Sequence, residues 1–272
     1  KTIRNPTLHR SKDLSDRVGQ FLLATYILLF FLFLVFPLGT LIIKSIQNRK
    51  GNFVGLKNYY LYLQEPALFQ SFFNSLFIAI SSTLIVVVLA FLFAYAITRT
   101  CMPFKFFFRL VALIPLLSPS ILAAIALVYW FGNKGVLKAL LFGNSIYGPI
   151  GIIFASIYWT FPHALMILST SLSLSDSRLY EAAEVLKTPK LRAFLTITIP
   201  GARYGIISTT FVVFTQVFTD FGVPKVIGGN YNVLATDIYK EVVGMQNFQM
   251  GAVISLVLLM PALVAFFIDQ YS

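Results

Sequence analysis

Few residues of this chain are placed to do chemistry. His163 follows Pro162 in "YWTFPHALM", and Trp159 lies four positions earlier, so both share one face of a helix that Pro162 should kink. Asp220, in "FTDFGVP", has Gln216 and Thr219 nearby. Polar and ionisable groups inside apolar runs are costly to bury, which makes Trp159, His163, Gln216 and Asp220 candidates for lining a polar path. A neutral histidine bonded to a neighbouring helix, and a carboxylate at a helix end, account for the same residues simply. No third member converges on His163 and Asp220, so no catalytic set is expected. The single cysteine, Cys101, forms neither an internal disulfide nor a metal-ligand cluster, and no metal site is expected.

A second constellation is charged and helical. The stretch "LYEAAEVLKTPKLRAFLTITIP", 179–200, places Leu179, Ala182, Ala183 and Leu186 at i, i+3, i+4 and i+7, flanked by Arg178, Glu181, Glu184 and Lys187. Ser175 or Asp176 is suited to cap this helix. Pro189 disfavours a helical Thr188, while Thr188 as N-cap with Pro189 as first residue suits a new helix. A second stripe, Leu191, Phe194, Leu195 and Thr198, ends at "IPG". The pattern predicts two short helices meeting at a fixed bend. Such a helix is compatible with lying on headgroups or packing under a bundle. Ala182 and Ala183 beside Glu181 also permit close approach to another protein, with the carboxylate paired to a basic group.

The elements that must position these residues are membrane helices. With 58% hydrophobic and 11% charged residues, and a mean hydropathy of +0.82, the chain belongs in a bilayer. The fold expected is all-α, with spans at about 21–44, 72–98, 110–131, 150–173, 205–224 and 249–269. Six spans put both termini on one side. Lys1, Arg4, Arg10, Lys12 and Arg17, the loop residues Arg99, Lys105 and Arg109, and Arg178, Lys187, Lys190, Arg192 and Arg203 outnumber the cations of the opposite loops. That bias places the 175–200 loop and the 1–20 segment in the cytoplasm. The net charge of +11 is dispersed over short loops, so nucleic acid is not an expected partner. The run from Phe21 to Ile43 is longer than a signal-peptide core and is expected to stay as a first helix. The chain starts with Lys and stops just after its last span, so both ends are expected to be cut from something longer. Tyr59, Tyr60, Tyr62, Tyr129, Trp130, Tyr147 and Tyr231 are expected as interfacial anchors, and Asn74 and Ser75 as caps of the second span. Gly201 and Gly205, in "GARYG", are a weak packing signal at a span edge.

The 179–200 segment resembles the EAA loop of permease subunits of binding-protein-dependent ABC importers (the MetI-like family). There Glu-Ala-Ala is followed after three residues by Gly, then after nine more by Ile-x-Leu-Pro. Glu181, Ala182 and Ala183 match, and Ile197, Ile199 and Pro200 fall at the required spacing, with Ile for Leu at 199. Lys187 stands where the family has Gly. A left-handed backbone is costly for Lys, so Thr188 and Pro189 are expected to supply the bend, with Lys187 complementing the helix dipole. "VGLKNYY" and the six spans agree with the family over about residues 54–270. "IPLLSPSILAAIALVYWFG" and "FTDFGVPKVIGGNYNVLATDIY" look most like the ferric iron and 2-aminoethylphosphonate branch, whose permeases are often two six-span halves fused. Residues 21–272 would then be a first half.

The resemblance implies a non-catalytic subunit of the bacterial inner membrane that binds no cofactor itself. ATP and Mg would belong to a cytoplasmic ATPase dimer, in keeping with the absence of G-x-x-x-x-G-K-[ST] from this sequence. Glu181 would pair with a basic residue of that ATPase, Ala182 and Ala183 would seat the helix, and Leu179, Val185 and Leu186 would fill its cleft. The other implied partners are a second permease half, whether fused, identical or separate, and an extracytoplasmic binding protein that carries most of the selectivity. A secondary transporter would instead show inverted repeats, interrupted spans and a carboxylate relay, and a channel a selectivity filter.

Overall fold

The computed structural model describes residues 14–271, and among them the elements are helical apart from an isolated bridge between Gln47 and Phe53. Lys1, Arg4, Arg10 and Lys12, invoked for sidedness, lie outside the described residues. The first rod, α1, runs over 14–45 through a π-turn at Phe31–Val35. Its apolar side chains are mostly bare, with Phe21 71% and Phe33 72% exposed, while its second half packs against the last helix and its last residue, Ser45, accepts from Asn58 Nδ2 at 2.8 Å. A short helix α2, Lys57–Gln64, precedes α3, Pro66–Arg99. Proline suits the first position of a helix because its missing N–H has no partner there, and the extended Glu65 completes the start.

The centre of the molecule is α3 packed on α6, Pro149–Leu174, with α9, Arg203–Thr219, against both. On α3 the residues Ser71, Ser75, Ala79, Ser82, Val86, Ala90 and Ala94 are buried in one stripe of mostly small side chains. Phe73, Phe77, Ile80, Leu84, Val88 and Leu92 on the opposite side are exposed. In a bilayer apolar exposure costs nothing, and close packing of small faces holds helices together. Helix α6 answers with Ile152, Ala155, Ala164, Leu165, Leu168 and Leu172, all buried, and runs uninterrupted through Pro162. The last helix, α12, Phe248–Tyr271, packs on α9 and on the end of α1.

Two expected spans are broken. The run expected at 110–131 is α4, Lys105–Leu113, a 3-10 turn Ile114–Leu117, and α5, Ser120–Phe131, with a bend of 105°. Pro115 and Pro119 lack the N–H that would continue the ladder, and Ser118 and Pro119 are extended. The span expected at 205–224 is α9, which stops at Thr219, followed by a separate helix α10, Gly222–Ile227. Upstream, α9 meets the preceding helix, α8 (Lys190–Gly201), at 63°. Among the described residues, four helices are long and apolar enough to cross a membrane, and up to six if each bent pair is one span. Interrupted helices are thus present where the sequence was read as two continuous spans.

Two smaller expectations also change. Because α3 begins at Pro66, Asn74 and Ser75 sit inside it and cap nothing of their own helix. They bind the segment before α11 (Leu234–Tyr239) instead: Asn74 Nδ2 donates to the Asn232 carbonyl at 2.9 Å, and Ser75 Oγ accepts from Leu234 N–H at 2.9 Å. Tyr62 is not an interfacial anchor. It is 3% exposed, and burial together with the Asp237 carboxylate pushes its hydroxyl up to about 12.

Candidate functional site

The charged loop folds as two helices, as its pattern predicts. The first, α7, is Ser177–Val185, and Asp176 caps it by accepting from Arg178 N–H at 2.9 Å. The second, α8, starts one residue later than expected: Pro189 is its N-cap, its carbonyl accepting from Ala193 N–H at 3.0 Å, and Phe194–Thr198 is a π-turn.

The bend between them corrects the expectation for Lys187. Lys187 itself adopts the left-handed conformation, with φ of 53°. Its N–H donates to Glu184 O at 2.9 Å and the Thr188 N–H to Ala183 O at 2.8 Å. These are the two bonds of a Schellman ending, which satisfy carbonyls a helix end otherwise leaves open. Lys187 therefore keeps the backbone that glycine would adopt most cheaply.

Along α7 the apolar residues are bare. Leu179 is 53%, Val185 82% and Leu186 77% exposed, and Glu181 and Ala182 are exposed beside them, whereas Ala183 turns inward and is buried. Pro200 is exposed in the last turn of α8.

The loop is fastened by long-range contacts that spacing along the chain does not show. Arg99, the last residue of α3, donates from Nη2 to the carbonyls of Leu172 at 2.5 Å and Ser175 at 3.1 Å. Its guanidinium lies 4.4 Å from the centre of the Tyr180 ring. The Tyr180 hydroxyl bonds Thr198 Oγ1 at 3.0 Å, joining α7 to α8. Phe194 packs edge-on against Tyr95 and Phe91 of α3. A cation at a helix end was the available signal for Arg99, but as a membrane-edge arginine it counted only toward sidedness.

The path candidates are arranged in separate groups. Trp159 and His163 meet on α6 at 6.0 Å between ring centres, and Trp159 Nε1, His163 Nδ1 and Gln216 Oε1 are buried without a hydrogen-bond partner among the described residues. Asp220 bridges two helix breaks: its carboxylate accepts from Ser120 Oγ at 2.6 Å and from Val223 N–H at 2.9 Å. It thus caps α10 and ties the start of α5 to the end of α9. At the opposite end of α3 from Arg99, a cavity of about 620 Å³ is lined by Gln64, Glu65, Asn232, Asp237, Lys240 and Glu241. Asp237 pairs with Lys240 at 3.5 Å, yet its burial raises the carboxyl above the usual range.

The chain is a polytopic helical bundle with an exposed two-helix loop between α6 and α9. The chain belongs to the family described as binding-protein-dependent transport system inner membrane component, whose profile matches residues 102–272. It is 27% identical over 253 residues to the putative ferric transport system permease protein FbpB 1 of Haemophilus influenzae, covering 90% of this chain and 40% of that protein. It is 26% identical to the spermidine/putrescine transport system permease protein PotB of Escherichia coli, over 73% of this chain and 76% of that one. The chain therefore spans well under half the length of the ferric permease. Among solved structures, a bacterial ABC transporter involved in importing the acidic polysaccharide alginate superposes with a TM-score of 0.76 at 16% identity, over 94% of this chain and 96% of that chain.

Proposed function

We propose that this chain forms half of the substrate pathway of an ATP-driven importer and receives its motion from a cytoplasmic ATPase dimer that grips α7. The observation carrying this reading is the bare stripe of Leu179, Val185 and Leu186 beside Glu181, on a helix finished at both ends. Apolar side chains outside the spans gain roughly 25 cal/mol per Å² when a partner covers them, so the stripe favours a docked protein. Glu181 supplies the carboxylate for a basic residue of the ATPase, Ala182 the close approach, and Lys187 and Pro200 the fixed ends of the lever. ATP and Mg reside on the partner. Trp159, His163, Gln216 and Asp220 lie along or beside the path. A second permease half completes it, and an extracytoplasmic binding protein delivers the cargo. The loop and both ends of the chain face the cytoplasm. Ferric iron is the favoured cargo because the similar Haemophilus permease carries that name, with 2-aminoethylphosphonate as the other arm of the assay.

The test purifies the tagged chain from cells and asks which proteins accompany it, then measures uptake of labelled ferric iron and 2-aminoethylphosphonate. A Walker-motif ATPase and a soluble binding protein should co-purify. Glu181→Lys should leave the chain in the membrane and abolish uptake. Full transport by that variant, or proton-driven uptake by the isolated chain, overturns the reading.

A further inference from the structure

We propose that Arg99 is the positioning residue that locks the α7 lever to the membrane bundle, so that a push on α7 moves α3 and α6 instead of being absorbed in the loop. This rests on the ATPase-coupling reading above. Three elements end within reach of its side chain. Arg99 closes α3, its Nη2 donates to the carbonyls of Leu172 and Ser175 at the end of α6, and its guanidinium covers Tyr180 of α7.

The chemistry suits arginine in particular. A helix end presents open carbonyls with partial negative charge, which a cation complements. A flat guanidinium offers donors at its edge and a cationic face to an aromatic ring at the same time, and a lysine ammonium cannot do both. The contact also spans the joint between α6 and α7. Just Ser175 and Asp176 separate those helices, Ser175 is extended, and its carbonyl is one of the two that Arg99 holds. Beyond the joint, the hydroxyl of Tyr180 carries the connection to the buried Thr198 of α8, and Phe194 of the same helix returns to α3 through Tyr95. The result is a closed ring of contacts, α3 to α7 to α8 and back to α3. The outer face of α7 contributes nothing to it, since Leu179, Val185 and Leu186 are bare.

The test uses the full assembly in nanodiscs on a Cys101→Ser background, with spin labels at the exposed Leu84 of α3 and at the exposed Ser177 of α7, which lies off the stripe offered to the ATPase. Pulsed electron resonance reads their distance in nucleotide-free and ATP–vanadate-trapped states. With Arg99 present, one narrow distance should persist in both states. In Arg99→Ala the distribution should broaden and become dependent on nucleotide, while the ATPase still co-purifies and hydrolyses ATP. Arg99→Lys should fall between the two. Tyr180→Phe keeps the ring and should retain the narrow distance. Tyr180→Ala should broaden the distance as well, and the double variant should fall short of the sum of the two single effects, because both remove the contact between the guanidinium and the ring. A narrow, nucleotide-independent distance in Arg99→Ala, or additive effects in the double variant, overturns the lock while leaving the coupling reading intact. Should Arg99→Ala fail to assemble, the Tyr180 pair, outside the spans, decides alone: a narrow distance in Tyr180→Ala sinks the proposal. Absence of an ATPase from the unsubstituted assembly overturns both.

Discussion

At Lys187 one residue shows why a pattern can be read and its geometry missed. A left-handed backbone costs an L residue about 1–2 kcal/mol, so the sequence argued for a bend at Thr188 and Pro189. The chain accepts that cost because the conformation delivers two hydrogen bonds, from Lys187 N–H to Glu184 O and from Thr188 N–H to Ala183 O. A short helix with an exposed face has few other means of ending. Lys187→Gly should therefore keep the loop conformation and relieve about 1 kcal/mol, which corresponds to ~5-fold slower hydrogen exchange at the Lys187 and Thr188 amides. Exchange that instead quickens would mean that the lysine side chain contributes more than its backbone strain removes. Arg99 and Tyr180 were illegible for a different reason. Their roles are long-range contacts, and nothing in spacing along the chain brings position 99 to position 180.

Among the elements, long uniform helices were the legible ones. The helices α3, α6 and α12 follow from apolar length, and each is a candidate span. The breaks were hidden because an apolar window averages across Pro115 and Pro119, and α5 is as greasy as a straight span would be. Packing between elements was visible only as the weak "GARYG" signal, which the structure makes specific. A Cβ added at Gly205 would come within 2.4 Å of both Cβ and Oγ of Ser171 on α6, whereas Ser171 Cα stands 3.9 Å away. Gly205→Ala should consequently cost about 1–3 kcal/mol through overpacking. Ser171→Gly in the same chain should recover most of that loss, since removing the serine side chain opens the contact to ordinary van der Waals separation. Thermal unfolding of the two single variants and the double variant in detergent measures the coupling. Equal losses in Gly205→Ala with and without Ser171→Gly would show that α9 does not approach α6 at this point.

For the whole molecule, α3 is the axis on which the sidedness argument turns. At about 1.5 Å per residue its 34 residues extend roughly 50 Å, longer than a hydrocarbon core of about 30 Å, so both ends emerge or the helix tilts. Near its start Asn74 and Ser75 hold the segment that leads into α11, and the polar cavity with Asp237 and Lys240 lies there. At its end Arg99 holds the α7 loop. The cavity and the loop therefore belong to opposite sides of the membrane, and fixing one fixes the other. Cys101 provides the means, because it is exposed two residues beyond Arg99 and is the sole cysteine of the 272 residues. If the loop faces the cytoplasm, a membrane-impermeant maleimide should label Cys101 in inverted vesicles and leave it unmodified in right-side-out vesicles. The opposite result would put α7 outside the cell, beyond reach of any cytoplasmic ATPase. The basic bias of the loops, which favours the cytoplasmic side through span-edge residues such as Arg99, Lys105 and Arg109, would then have been outweighed by packing.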